Sequence, residues 1–255
     1  MSLNNSTAPA ACSELESVLV AGWYGKIPYT GDFISRRLPS NFIDIWDSWL
    51  QHAIAASRAQ LGDRWLDLYL TSPIWRFALM PGTISGTSNI WAGVIMPSVD
   101  KVGRYFPLTI ALRIESLPGA VSAVFSADAW YASLERVALT TLNIAALPDD
   151  LDRNLLSNPF PVPEPVNQGS DAKELAAWYQ EGKGDPQTFL LPAGHSVSDL
   201  FDTTAKELFA HTGASKSFWW AVSSEAGPTR LRCFEGLPPD SYFGTMLEET
   251  FTWQE

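Results

Sequence analysis

Three apolar, β-rich runs that follow one another along the chain constrain the fold more than any other feature. They are SPIWRFALM from Ser72, NIWAGVIMPS from Asn89 and RYFPLTIALRIE from Arg104, with Gly, Pro and Ser residues between them. Consecutive strands with short connections favour antiparallel pairing, so the runs predict an antiparallel meander. An earlier run, VLVAGWYG from Val18 to Gly25, predicts a further strand that ends at a glycine.

Helical periodicity appears before and after these runs. From Ser40 to about Ala59, apolar residues recur at steps of three and four, which predicts a first helix with Ser40 as its N-cap. The same spacing predicts a second helix from about Ser126 to Leu142, with Ser126 as its N-cap.

The C-terminal third of the chain repeats both patterns. HSVSDLFDTTAKELFAHTG predicts a helix with Ser196 or Ser198 as its N-cap and Gly213 just beyond its end. SFWWAV and TRLRCF then predict a hairpin, and SYFGTMLEETF predicts a short closing helix. Because two strands are too few for an independent sheet, we expect this part to extend the first sheet.

Together these elements predict one α/β domain over residues 18–255. We expect a three-layer sandwich in which helices cover a mixed, mostly antiparallel central sheet. The polar stretch 1–17 is predicted to be disordered. Four prolines from Pro159 to Pro165 favour extended polyproline II, so a semi-rigid connector is predicted at about 158–170.

Charge and composition exclude several classes of function. The chain has 17 Lys and Arg against 28 Asp and Glu, a net charge of −11, so its field repels nucleic acid and anionic membrane surfaces. It contains no apolar run of about eighteen residues and no basic, apolar leader, so neither membrane insertion nor a signal peptide is expected. Two cysteines, Cys12 and Cys233, do not support a disulfide framework. We therefore expect a cytoplasmic protein.

The segment GWYGKIPYTGDF, from Gly22 to Phe33, has the composition of a phosphate-binding loop but not its spacing. A P-loop needs Ser or Thr after its lysine, and here Ile27 follows Lys26. The glycines instead predict a loop at a strand exit. The histidines His52, His195 and His211 are far apart and lack metal-binding spacing. We therefore predict no metal, no cofactor and no catalytic constellation.

One enzymatic alternative stays open. GTISG from Gly82 and AGHSVS from Ala193 imitate the nucleophile motif of serine hydrolases, but neither has its register. Because triads can be assembled by the fold from distant residues, a small-molecule hydrolase built around Ser196 or Ser85 with His195 is the alternative hypothesis.

Opposite charges stand among aromatic residues and prolines in two segments. Asp32 precedes Arg36 in GDFISRRLP, and Asp100 precedes Arg104 in MPSVDKVGRYFPL. Because both segments adjoin predicted strands, we expect them to meet, with Asp32 paired to Arg104 or Asp100 paired to Arg36. Such pairs would either fix the loops or serve a partner-binding surface.

These segments belong to a longer set that resembles a known family. GWYGKIPYTGDFISRRLP, WDSWL, SPIWRF, WAGVIMPSVDKVGRYFPL, FWW and GLPPDSYFGTML look like the TagF (ImpM) family of type VI secretion accessory proteins. The resemblance runs from about Val18 to Leu247. It implies a cytoplasmic, post-translational repressor of type VI secretion that acts through the forkhead-associated scaffold protein of that system.

The resemblance also bears on mechanism. Some members resemble fusions to a metal-dependent protein phosphatase, and this sequence shows no such segment, so we expect repression by binding. The family offers no agreed catalytic residues. For the partner-binding surface we predict Tyr29, Arg37, Arg104 and Phe243, because aromatic and basic residues near exposed connections are typical of interface centres.

Overall fold

The computed structural model describes residues 19–116, 119–161, 170–181, 197–222 and 229–248. The predicted disordered stretch 1–17 and residues 162–169 of the predicted connector lie outside these ranges. The strands are β1 (Gly22–Gly25), β2 (Ile34–Arg36), β3 (Trp75–Leu79), β4 (Ile90–Met96), β5 (Leu108–Ile114), β6 (Lys216–Ala221) and β7 (Arg230–Glu235). The helices are α1 (Ser40–Leu61), α2 (Trp65–Thr71), α3 (Ala120–Ser126), α4 (Asp128–Thr140), α5 (Pro148–Leu156), α6 (Ser170–Glu181), α7 (Val197–Thr212) and α8 (Asp240–Leu247).

The strands form one seven-stranded sheet in the order β2-β1-β5-β4-β3-β6-β7. The predicted meander is confirmed, since β4 pairs with both β3 and β5. The predicted hairpin is also confirmed, and β6 pairs with β3, so the C-terminal region extends the first sheet. The sheet was predicted to be mixed and mostly antiparallel. Each pairing among the described strands is antiparallel.

Alternating side chains divide the core into two layers, one on each face of the sheet. In β4, Ile90, Ala92 and Val94 point to one face, whereas Trp91 and Ile95 point to the other. The first face is covered by α3, α4, α5 and α7, and the second by α1, α2 and α8. The three-layer α/β sandwich is therefore confirmed.

Tryptophan fills the layer beneath α1. Trp46 stacks against Trp219 of β6 with 6.0 Å between ring centroids, and its indole N–H donates to Thr109 Oγ1 at 2.8 Å. Phe42 stacks on Trp91 at 4.1 Å. Because such rings bury large areas, this layer fixes α1 against the sheet.

Both serine N-caps that the structure describes were wrongly predicted. Helix α1 begins at Ser40 itself, with Pro39 at the N-cap and no side-chain cap. Ser126 ends α3, where its hydroxyl donates to the Ser122 carbonyl, and α4 begins after Ala127. A helical serine that bonds back to the preceding turn is not available as a cap. The predicted caps of α7 lie outside the described residues or side chains.

Several elements have no counterpart among the predicted ones. These are β2, α2, α3, α5 and α6, each of which is short or polar in sequence. Among the described residues, no helix is long and apolar enough to cross a membrane.

Candidate functional site

Two loops meet at one end of the sheet. Residues 26–33 follow β1, and residues 98–106 connect β4 to β5. The first residues of β5 pair with the last residues of β1 and of β4, so both loops lie at the same end of the sheet. The Lys101 N–H donates to the Thr30 carbonyl at 2.9 Å, and the Arg104 guanidinium donates to the Gly31 carbonyl. The Ser98 hydroxyl donates to the Lys26 carbonyl at 2.7 Å. We call this pair of loops, residues 26–33 and 98–106, the loop face.

Asp100 is the centre of the loop face. Its buried Oδ2 accepts from Lys26 Nζ at 2.9 Å and from Arg104 Nε at 2.6 Å. Its Oδ1 accepts from the backbone N–H groups of Val102 at 3.0 Å and Arg104 at 2.8 Å. Burial acts to raise the pKa of Asp100, but the bonds from Arg104, Lys26 and Val102 outweigh it and lower this pKa well below its usual value. Asp100 is therefore a fully bonded carboxylate.

The two predicted cross-loop ion pairs are wrong. Asp32 is exposed, and its Oδ1 accepts the neighbouring Phe33 N–H at 2.8 Å. Arg36 pairs with Asp149 at 2.6 Å and with Asp152 at 3.5 Å. The reason lies in β2, which places Arg36 opposite Trp23 and thereby directs it to α5, away from the loop face.

Lys26 has a structural role in this arrangement. Its side chain is buried, and its ammonium lies 4.8 Å from the centre of the Phe33 ring as well as against Asp100. The preceding Gly25 has a φ of +137°, and a Cβ there would lie 2.2 Å from the Pro107 carbonyl oxygen. The glycine segment is thus a tight strand exit, as its sequence predicts, in which the lysine anchors the neighbouring loop.

The outer surface of the loop face carries exposed apolar and basic side chains. Tyr29 is 45% exposed, Phe33 is 40% exposed and Val102 is 68% exposed. Lys101 and Arg104 are exposed beside them. Phe33 is held from below, since its ring stacks on Tyr24 at 5.7 Å and meets Phe106 edge-on at 4.8 Å.

The four predicted partner-binding residues do not form one surface. Tyr29 and Arg104 share the loop face. Arg37, with a φ of +58°, follows β2 and donates to the Ala21 carbonyl near the opposite end of β1.

Phe243 is the clear correction among these residues. It is 4% exposed and meets Trp49 edge-on at 6.1 Å, so it belongs to the core between α8 and α1. Its sequence neighbours GLPPD indicate a turn, but the helix that follows buries its apolar side against α1. Partner contact through Phe243 is therefore not supported.

A groove of about 700 Å³ adjoins the loop face. It runs between the loop around Arg104 and the junction of α1 with α2, where Arg58 lies 4.2 Å above the Trp65 ring and Tyr105 forms part of the wall. Arg58 and Trp65 are not among the site residues predicted from the sequence, because α2 was not predicted. The sequence feature that could have indicated them is an arginine in the last turn of an amphipathic helix, seven residues before a tryptophan.

The hydrolase alternative gains no support from the described residues. Ser85 is exposed in the connection between β3 and β4. Ser196 and His195 lie outside the described ranges, as does the side chain of His211. Within those ranges, no group of three or more His, Cys, Asp or Glu side chains is placed to hold a metal ion.

Comparison with known proteins identifies the family. Residues 22–157 match the TagF N-terminal domain, which is described as type VI secretion system-associated. The chain belongs to the TagF family. Among solved structures, it is similar to the crystal structure of PA0076 from Pseudomonas aeruginosa PAO1 at 2.05 Å resolution, with 33% identity and a TM-score of 0.69. That match covers 89% of this chain and 93% of the other, whereas no curated protein matches.

Membership locates the loop face within the TagF domain. Both of its loops fall inside residues 22–157, as do Arg58 and Trp65 of the adjoining groove. The strongest candidate site of this TagF protein is thus built by the part of the chain that defines the family.

Proposed function

We propose that this TagF protein is a cytoplasmic, non-enzymatic repressor of type VI secretion that binds the forkhead-associated scaffold protein of the system. The family's association with type VI secretion supports a regulatory role in that system. The single observation that supports binding through a defined surface is the loop face, where exposed Tyr29, Phe33 and Arg104 rest on a buried, fully bonded base.

The build of the loop face suits recognition. Asp100 ties Lys26 of one loop to Arg104 of the other, so the backbone below the exposed side chains is fixed before a partner arrives. A preordered surface loses less conformational entropy on binding. Exposed aromatic and arginine side chains on such a surface are the residue types that dominate interface energies.

The same geometry is poorly suited to acid–base catalysis. A general acid or base works best when its pKa lies near the working pH. The hydrogen bonds to Asp100 lower its pKa and keep it ionised, so it has no proton to give, and both of its oxygens already accept bonds from the protein. This favours repression by binding to a protein partner.

A complementation experiment tests the proposal. In a bacterium with an active type VI system and its own copy of this gene deleted, the wild-type chain should lower secretion and co-purify with the scaffold protein. Tyr29→Ala should weaken both effects. Leu139→Ala is the matched control and should behave as wild type. Leu139 lies in α4, outside the loop face, and is 51% exposed. Repression without scaffold binding, or turnover of ester or phosphoester substrates by the pure protein, would contradict the proposal.

A further inference from the structure

We propose that the groove between Arg58 and Arg104, which we call the arginine groove, binds an acidic side chain in an acidic, leucine-containing segment of the protein partner. This rests on the proposed function in one respect: the partner that covers the loop face also fills the groove. The occupant is assigned by charge and by the apolar character of the groove's edge.

The arginine groove carries positive charge on rigid supports. The Arg58 guanidinium lies over the Trp65 ring at 4.2 Å and makes no hydrogen bond or ion pair with any residue the structure describes. Arg104 is fixed by Asp100 and by the Gly31 carbonyl, which leaves its Nη1 without a partner in the described part of the chain. Two arginines that line one groove therefore each have guanidinium N–H groups without a partner among the described residues.

The wall beneath Arg58 is an ordered aromatic stack. Trp65 stacks on Tyr69 at 4.8 Å and meets Tyr105 edge-on at 5.9 Å. The Trp65 indole N–H donates to Ser57 Oγ at 2.9 Å, and the Tyr69 hydroxyl donates to the Ser98 carbonyl at 2.9 Å. Because the stack is held at both ends, Arg58 sits on a fixed platform, and its charge is placed without a large entropy cost on binding.

The charge balance of the groove runs against that of the whole protein. Its lining includes Arg58 and Arg104 against Asp63, whereas the chain carries a net charge of −11. An acidic segment is repelled by the overall charge of the protein and attracted by the two arginines of the groove, which contributes to position as well as affinity. Guanidinium groups bind carboxylates through paired N–H donors.

The edge of the groove is apolar. Leu66 lines it and is 37% exposed, and half-buried Tyr105 lies across from it. An aliphatic residue next to the acidic one would cover these side chains as the carboxylate meets the arginines. We therefore expect a segment that alternates acidic residues with leucine.

A peptide titration tests the inference without the scaffold protein. The probe is a fluorescein-labelled peptide with a Leu-Glu-Leu-Glu centre, measured by fluorescence anisotropy against the full chain. Arg58→Gln should weaken its binding about tenfold. Arg64→Gln is the matched control, since Arg64 is a nearby exposed arginine that pairs with Glu248 at 2.9 Å and does not line the groove, and it should leave binding unchanged. The same peptide with Gln in place of Glu should not bind.

The inference is overturned if the Glu peptide shows no saturable binding to wild type, if Arg58→Gln binds it as well as wild type does, or if only a phosphothreonine version binds. A parallel titration with the purified scaffold protein separates the two proposals. Scaffold binding that Arg58→Gln leaves intact would overturn the groove inference and preserve the proposed function. Peptide binding without scaffold binding would do the reverse. Arg58→Glu with an unchanged melting temperature serves as the stronger second variant.

Discussion

At the scale of single residues, Asp100 does more than any other side chain to shape the candidate site. It is completely buried, yet it carries a charge that two cations and two backbone N–H groups share. A buried ion pair of this kind adds little stability over an apolar core, but removing one partner strands the other charge. The expected consequence is a large asymmetry between Asp100 and the exposed Asp32 of the same loop face.

Asp100→Ala should lower the free energy of unfolding by about 3–5 kcal/mol, because Lys26 is then buried without a counter-ion. Asp32→Ala removes only an exposed carboxylate that accepts one local N–H, so it should cost less than about 1 kcal/mol. Urea denaturation of both variants measures the difference. Equal effects of the two substitutions would show that the Asp100 network does not exist in solution.

The pH dependence of stability provides a second test of Asp100. Its pKa in the folded protein is lowered, so its contribution is complete above the unfolded-state value of about 3.9 and is lost as the pH falls below it. The stability gap between wild type and Asp100→Asn should therefore be full at about pH 7 and narrower at about pH 3. A gap of the same size at both pH values would mean that the carboxylate is not preferentially ionised in the folded state.

At the scale of elements, the exit of β1 depends on Gly25. Gly25→Ala forces a Cβ to within 2.2 Å of the Pro107 carbonyl oxygen at a φ of +137°, so β1 or the start of β5 must shift. We expect a loss of about 2–4 kcal/mol in the free energy of unfolding. Gly31→Ala is the control, because no atom lies within 4 Å of its added Cβ, and it should stay within about 0.5 kcal/mol of wild type. Thermal unfolding of the two variants decides, and similar melting temperatures would contradict the described strand exit.

The elements also show which features the sequence predicts. The meander β3–β5 and helix α1 follow from the local sequence pattern, because each buries a long apolar run or stripe. The hairpin β6–β7 follows from its two β-rich runs, although only β6 is buried and β7 is largely exposed. The partners of Asp100 and Arg36 did not follow, because several charges of each sign stand near strand ends and only the three-residue β2 decides which of them meet. Phe243 was misplaced for a related reason, since its burial depends on contact between α8 and α1, which are far apart in sequence.

The salt link between β3 and α4 illustrates the same limit. Arg76 is buried in β3, and its guanidinium binds both carboxylate oxygens of Glu135 in α4, at 2.6 and 3.0 Å. Within its strand this arginine looks like an interruption of an apolar run, because the sequence does not show that a helix supplies the carboxylate.

At the scale of the whole molecule, the loop face presents exposed aromatic and basic side chains at one end of the sheet of an acidic three-layer sandwich. Rigid secondary structure holds the loops that present them, which is a common arrangement for binding sites. We propose that this end of the TagF fold binds the forkhead-associated scaffold protein and that binding alone represses secretion.

Isothermal titration calorimetry of the purified chain with the purified scaffold protein measures this binding. We expect saturable binding to wild type that Tyr29→Ala weakens about tenfold, while the melting temperature of the variant stays within a few degrees of wild type. Leu139→Ala should bind as wild type does. An absence of binding to wild type, or wild-type affinity in a well-folded Tyr29→Ala variant, would contradict the proposed role of the loop face.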